Sequence, residues 1–206
     1  EEGITDPKQL EGQTVGVTGV PSDNAILDTI MADAGGSSDE VNVVTIGFNG
    51  VQSLESGKVK AFTGFIPADG VQVEADGYKT KSFPLDENGG PSYPGLVVFS
   101  TESKIGEDPD LMQGFVDATI KGYQDALSDP AAAIDALISQ TQGIDRKLAT
   151  ESFDAWVPLF GPADTFGQFN TKNLESLSTF MVDNGLSDEE ISPDRYATSE
   201  FTQPKE

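Results

Sequence analysis

From position 15 to position 30 the chain reads Val-Gly-Val-Thr-Gly-Val-Pro-Ser-Asp-Asn-Ala-Ile-Leu-Asp-Thr-Ile. This is a short apolar strand, a glycine turn and then a helix. Gly19 permits backbone angles closed to other residues. Ser22 or Asp23 is placed to cap the helix, which Ala25, Ile26, Leu27 and Ile30 carry. The first turn of such a helix leaves backbone N–H groups beside side-chain hydroxyls. That combination suits an anionic or acceptor-rich ligand. The same residues equally serve a plain strand-to-helix turn in an α/β protein.

The alternation of strand and helix repeats along the first half of the chain. A helical turn over 6–12 precedes the strand Thr14–Val17, and the helix of 22–34 ends at Gly35-Gly36-Ser37-Ser38. Val41–Ile46 reads as a buried strand, Val51–Ser56 as a short helix closed by Gly57, and Lys58–Phe65 as a third strand. Strands alternating with helices predict a parallel sheet with right-handed crossovers. A short helix over 69–78, a strand over Lys79–Leu85 and a strand over Leu96–Ser100 are expected next.

From residue 109 the pattern becomes helical. Leu111, Phe115, Ala118 and Gly122 recur beside Met112, Val116, Thr119 and Tyr123, a stripe expected to face a core. Helices are predicted over 130–139, over 145–158 with Trp156 inside, and from a cap at Asn170 or Thr171 through Val182. The polar tail after Ser187 wraps the surface or frays. The chain thus divides into an α/β lobe of 12–94 and a helix-rich part of 1–11 and 95–206, whose lone strand lacks partners.

Composition removes whole classes of chemistry. The chain has neither Cys nor His, so thiolate and imidazole catalysis are excluded, as are thiolate metal sites. With 12 Lys+Arg against 35 Asp+Glu, the net charge of -23 repels nucleic acid and anionic membranes. No hydrophobic run approaches the ~20 residues that span a bilayer, so no direct membrane insertion is expected in this segment. The acidic runs Glu107-Asp108 and Asp188-Glu189-Glu190 lack the spacing of a calcium loop. They read as solvated faces, and neither a metal nor a cofactor is expected.

Five stretches in order resemble one family: Leu10-Glu-Gly-Gln-Thr-Val-Gly-Val, Gly19-Val-Pro-Ser-Asp, Ile46-Gly-Phe-Asn, Gly64-Phe-Ile-Pro-Ala-Asp-Gly-Val-Gln, and Phe166-Gly-Gln followed by Phe180-Met-Val-Asp-Asn-Gly-Leu. The family is the substrate-binding proteins of ABC transporters, in the NMT1/THI5-like group that includes thiamine-pyrimidine-precursor binders. The resemblance implies a type II periplasmic-binding-protein fold, a two-lobed α/β clamp with one complete lobe and a helix-rich partial second one. It implies strands upstream of residue 1 and a small-molecule ligand, pyrimidine-like or otherwise polar, trapped by hinge closure. It also implies an ABC permease as partner and a periplasmic or extracellular location, lipid-anchored through the upstream part. A pyrimidine-synthase-like enzyme needs a histidine and a cysteine-rich motif that this chain lacks. A sensor module built on the same clamp is a further alternative.

The candidate ligand-binding residues are Thr18, Gly19, Ser22, Asp23, Phe48, Asn49, Asp69 and Tyr93. Asp69 occupies a position where the pyrimidine binders carry Glu between aromatics; Ile66, Pro67 and Ala68 replace those aromatics here. A carboxylate there can accept from an exocyclic amine, and the alternative is an ordinary loop Asp beside Gly70. Phe48 can stack on a ring or pack in the core, and Asn49 can bond a ligand or shape a turn. Tyr93 lines a cleft or plugs its loop. Phe166 and Gln168 lie in a loop that the family puts near the cleft.

Overall fold

The computed structural model describes residues 3–162 and 165–202. Its chain forms two compact units: the described residues of Glu1–Ser92 with Ser176–Glu190, and those of Tyr93–Glu175 with Ile191–Glu206.

The first unit is built on a three-stranded parallel sheet. Strands β1 (Thr14–Val17), β2 (Asn42–Thr45) and β3 (Ala61–Phe62) run in the order β2-β1-β3. Val15 pairs with Val43 on one side and Ala61 on the other. Helix α1 (Pro21–Asp33) joins β1 to β2, and α2 (Gly50–Glu55) joins β2 to β3. Leu27 and Met31 of α1 pack with Leu10, Val15 and Val41 in a buried cluster, and Ala61 rests against it. The opposite face of β1 needs glycine. A Cβ on Gly16 would collide with the Ile46 side chain and approach Val59 Cγ1 to 3.3 Å. A Cβ on Gly50 would run into the Phe62 ring, so α2 starts close against β3.

Local chemistry sets the ends. Asp6 and Gln9 form a reciprocal capping box around the 3-10 turn Pro7–Leu10. Helix α1 begins one residue earlier than predicted, at Pro21, whose missing N–H and fixed φ suit a first helical position. Its N-cap is Val20, with no side-chain cap bond, so neither Ser22 nor Asp23 caps it. The segment after β3 passes through a π-helical turn (Ile66–Gly70) into α3 (Val71–Ala75).

Three strand expectations need correction. Val41–Ile46 is no fully buried strand: β2 is an edge strand with Asn42, Val43 and Thr45 exposed. The ladder of β3 holds two residues of the expected eight from Lys58 to Phe65; among the described residues it pairs with β1, itself a strand of four residues. Lys79–Leu85 is not a strand; it runs extended without a ladder into the 3-10 turn Leu85–Glu87.

In the second unit, α4 (Glu102–Glu107), α5 (Pro109–Ser128), α6 (Pro130–Gln140) and α7 (Arg146–Trp156) follow in sequence, and α8 (Thr171–Asp183) starts here. Asp108, Asp129 and Asp145 cap α5, α6 and α7 by accepting from the backbone N–H of the third residue of each helix. Asn170 Oδ1 accepts from Lys172 and Asn173 N–H at the head of α8. Tyr123, Phe160 and Phe166 pack ring to ring at centroid distances of 5.0–6.1 Å. Trp156 is half-buried on α7.

The C-terminal segment lies along this unit: Gln113 Nε2 donates to Phe201 O, Phe169 N–H to Ser199 Oγ, and the Tyr196 hydroxyl to Leu174 O. The expected α5 core stripe is corrected in part: Met112, Val116, Thr119 and Tyr123 are half-buried. Leu111 and Phe115 are at least half exposed, and no α5 residue is fully buried. Leu96–Ser100 likewise joins no ladder, and Phe99 is 91 % exposed. An apolar extended run becomes a strand only where a neighbour takes its hydrogen bonds.

Candidate functional site

All three strands end on one edge of the first unit's sheet, and each feeds a loop there: Thr18–Val20 after β1, Ile46–Asn49 after β2, and Thr63–Asp69 after β3. The connection from β1 leads to one side and the chain then returns to lay β3 on the other. The strand order therefore reverses between β1 and β3. In open α/β sheets the crevice beyond the strand C-termini at such a reversal is where ligands bind. The loops at 18–20 and 63–69 flank that reversal, and the loop at 46–49 lies beyond β2 on the far side of β1.

Asp23 is 5 % exposed. Its Oδ2 accepts three hydrogen bonds, from Thr18 N–H at 2.7 Å, Thr18 Oγ1 at 2.6 Å and Gly19 N–H at 3.1 Å. The carboxylate thus reaches backwards from the third residue of α1 and ties down the loop that precedes the helix. Gly19 takes φ +101, and a Cβ there would lie 3.0 Å from the Thr45 methyl, so the loop also sits tightly on the end of β2. The amides of Thr18 and Gly19 and the Thr18 hydroxyl, which the sequence offers to a ligand, are held by the chain itself. Ser22 stands half-buried beside them in the first turn of α1.

Asp69 closes its own loop in the same way. Its Oδ2 accepts from Phe65 N–H at 2.8 Å, and its N–H donates to Phe65 O at 2.7 Å. A Cβ on Gly64 would lie 2.7 Å from that same oxygen, so glycine is required for the turn to fold over the carboxylate. Oδ1 of Asp69 makes no hydrogen bond to a described residue.

Phe48 projects from the β2 loop and is 92 % exposed, which rules out the core-packing alternative. Asn49 Nδ2 donates to Ile46 O at 3.1 Å, and Asn49 O accepts from Ser53 N–H, so this side chain shapes the turn into α2. Phe65 and Ile66 are also exposed at the loop after β3. The edge therefore presents aromatic surface beside polar groups, the usual make-up of a small-molecule site. Tyr93 belongs to the second unit and is 39 % exposed. Phe166 is engaged in the ring cluster of that unit, and Gln168 is exposed.

Sequence reasoning does not single out Thr63. Its Oγ1 is buried, and among the described residues it is a side-chain oxygen without a hydrogen-bond partner. Thr63 N–H donates to Gly16 O, which fixes it at the end of β3 beside the reversal. A buried hydroxyl left unpaired is uncommon, and it marks this strand end as a position whose hydrogen bonding the described residues leave incomplete. The signal available was positional: the last residue of a strand, just before a glycine.

Two open grooves lie in the second unit. One runs between α5 and α6 past Gly122, Ala126, Ala132 and Ala136; the other lies between Phe169–Leu174 and Pro193–Glu200. The first is lined by no aromatic ring; the second holds Phe169, whose N–H donates to Ser199 Oγ. Among the described residues no group of acidic side chains is arranged to hold a metal ion, and no helix is long and apolar enough to cross a membrane.

Comparison with known proteins agrees with this architecture. The chain is 30% identical over 140 residues to a formylaminopyrimidine-binding protein of Halalkalibacterium halodurans, an alignment covering 68% of this chain and 42% of the relative. It is 27% identical over 204 residues to the riboflavin-binding protein RibY of Chloroflexus aurantiacus, covering 93% of this chain and 56% of that one. The chain thus spans about half the length of the curated relatives it matches. The fold is that of the periplasmic aliphatic sulphonate binding protein SsuA from Escherichia coli. The TM-score is 0.72 at 14% identity, over 100% of this chain and 64% of that one. This is the periplasmic-binding-protein α/β fold expected from the sequence. The family described as NMT1/THI5 like matches residues 1–133, and the chain belongs to it.

Proposed function

We propose that this chain is the ligand-holding part of a solute-binding protein that serves an ABC importer, and that it binds a small heteroaromatic, pyrimidine-like molecule at the strand-end edge of its first unit. The observation that carries the reading is that the Thr18–Val20 and Thr63–Asp69 loops flank the reversal of strand order, with exposed Phe48 and Phe65 on the same edge. Stacking on an aromatic ring and a few fixed polar groups suffice to hold a flat, nitrogen-rich ring. Thr63 Oγ1 and Asp69 Oδ1 are the polar groups with unused capacity; Asp69 accepts from ring substituents, and the Thr63 hydroxyl donates or accepts. Two relatives named for binding a formylaminopyrimidine and riboflavin support the class of ligand.

The role is non-catalytic: the protein holds its ligand by closing a second lobe over this edge and hands it to a membrane permease outside the cytoplasm. The neighbours of the exposed run Leu96–Phe99 belong to a part of the protein beyond these residues, in keeping with the greater length of the relatives. The experiment is calorimetric titration with 4-amino-5-hydroxymethyl-2-methylpyrimidine and with riboflavin, in wild type and in Phe48→Ala. Saturable binding to at least one of them, weakened about five- to tenfold in the variant by loss of the stacking contact, is expected. Absence of binding to both removes the heteroaromatic assignment, and unchanged affinity in the variant removes Phe48 from the site.

A further inference from the structure

We infer that this edge refuses anionic ligand groups, because the chain's own carboxylates already sit where an anion would bind, and that its ligand is neutral or cationic in the part that reaches the β1 and β3 loops. The inference rests on the ligand site proposed above and adds the charge class of what enters it.

A helix N-terminus preceded by a glycine loop ordinarily makes an anion site, since adjacent backbone N–H groups converge on the ligand. Here the two adjacent amides of that loop, Thr18 and Gly19, together with the Thr18 hydroxyl, converge on Asp23 Oδ2 instead. At 5 % exposure that carboxylate is part of the fold and is not displaced by solvent or ligand. In the β3 loop the Phe65 amide is taken by Asp69 Oδ2. The chain thus fills both positions with internal anions. An incoming sulfonate or phosphate finds these donors occupied and faces like charge.

Within these loops the chain supplies no counter-charge of its own. Residues 18–24, 45–50 and 63–70 contain Asp23 and Asp69 and no Lys or Arg. Lys58 and Lys60 precede β3, at the opposite edge of the sheet, where Lys60 N–H donates to Thr14 O at the start of β1. Lys81 adjoins Ser82, whose Oγ lies 3.8 Å from where a Cβ on Gly70 would stand, and its ammonium is directed over the Phe83 ring at 5.7 Å from the centroid. The groups left with capacity, Asp69 Oδ1 and the Thr63 hydroxyl, welcome donors and neutral polar atoms. A phosphate or sulfonate is acceptor-only and finds little here. The likeness to a sulphonate binder is a likeness of fold, and the chemistry of this edge is of the opposite sign.

The test compares ligands that differ by one phosphate: riboflavin with FMN, and 4-amino-5-hydroxymethyl-2-methylpyrimidine with its phosphate ester, each titrated calorimetrically into wild type and Asp69→Asn. The substitution keeps an oxygen to accept from Phe65 N–H and removes the charge. Wild type is expected to bind the neutral member at least about tenfold more tightly, and Asp69→Asn to narrow that ratio to about threefold with unchanged circular dichroism. Equal or tighter binding of the phosphorylated member, or a ratio that Asp69→Asn leaves unchanged, overturns the inference while leaving the heteroaromatic site standing. Binding of ethanesulfonate comparable to the neutral ligands overturns it as well. Failure of all four ring compounds to bind overturns the underlying site and the inference with it.

Discussion

Asp23 shows how one residue's role depends on where its partners lie. Its type and position beside a helix start are plain in the sequence, and the ordinary expectation for such a residue is to cap forward onto the helix. The structure turns it backwards, onto Thr18 and Gly19. Nothing in residue type distinguishes the two directions. The difference comes from Pro21, which begins the helix one residue early and puts Asp23 inside its first turn. Asp23→Ala leaves two amides and a hydroxyl without their acceptor in a part-buried loop and is expected to cost about 1–3 kcal/mol, read from urea denaturation midpoints. A loss below about 0.5 kcal/mol would mean that the loop holds without it. Glu55 carries a second residue-scale prediction. Its carboxyl is raised above the usual range, first by removal from water and then by Asp76, through a hydrogen bond and repulsion. A raised native pKa means that the folded state holds this proton longer than the unfolded chain does. Stability from this group is therefore present at low pH and is lost as pH rises through the raised value. Glu55→Gln is expected to gain in Tm relative to wild type as pH is raised from the ordinary glutamate range to neutrality. A constant offset across that range would contradict it.

At the scale of elements, legibility tracked whether a segment carries its own reason to fold. Strand Thr14–Val17 and the helices from 109 onward follow from local pattern, and their caps at Asp108, Asp129 and Asp145 are sequence-local. The segments Lys79–Leu85 and Leu96–Ser100 have strand-like composition and no ladder, since pairing is a property of two segments and composition describes one. Leu111 and Phe115 of the α5 stripe stay exposed for a related reason: helical periodicity finds an apolar face, and what covers that face is not encoded in the periodicity. Glycines separate the tightly packed elements from the loose ones. Gly16→Ala drives a methyl group into Ile46 on the buried side of β1 and is expected to destabilise by about 1–3 kcal/mol. Gly114→Ala, in open space on α5, is expected to stabilise by about 0.5–1 kcal/mol through helix propensity. Thermal denaturation of the two variants beside wild type checks both signs, and like signs would contradict the packing described.

For the molecule as a whole, the governing quantity is a net charge of -23 on 206 residues. The ion pairs among the described residues, such as Lys121–Asp125 and Arg146–Asp135, are exposed and offset little of it. Self-repulsion between unpaired carboxylates opposes compaction and is screened by salt. Tm is therefore expected to rise as NaCl is raised from about 10 mM to about 1 M, with most of the rise where the Debye length falls below the spacing of surface charges. A flat or falling Tm would show that the excess charge is neutral to stability. The fold class was readable from the strand–helix alternation and from five family-like stretches in order. The candidate edge was readable only in part, because Thr63 becomes notable only once its hydroxyl is seen buried without a partner. Amide NMR titration with riboflavin, or with 4-amino-5-hydroxymethyl-2-methylpyrimidine, tests most directly whether the strand ends of the first unit hold the ligand. Saturable shift changes concentrated in Thr18–Val20, Ile46–Asn49 and Thr63–Gly70 are predicted, and changes confined to residues outside these loops, or none at all, would contradict the account.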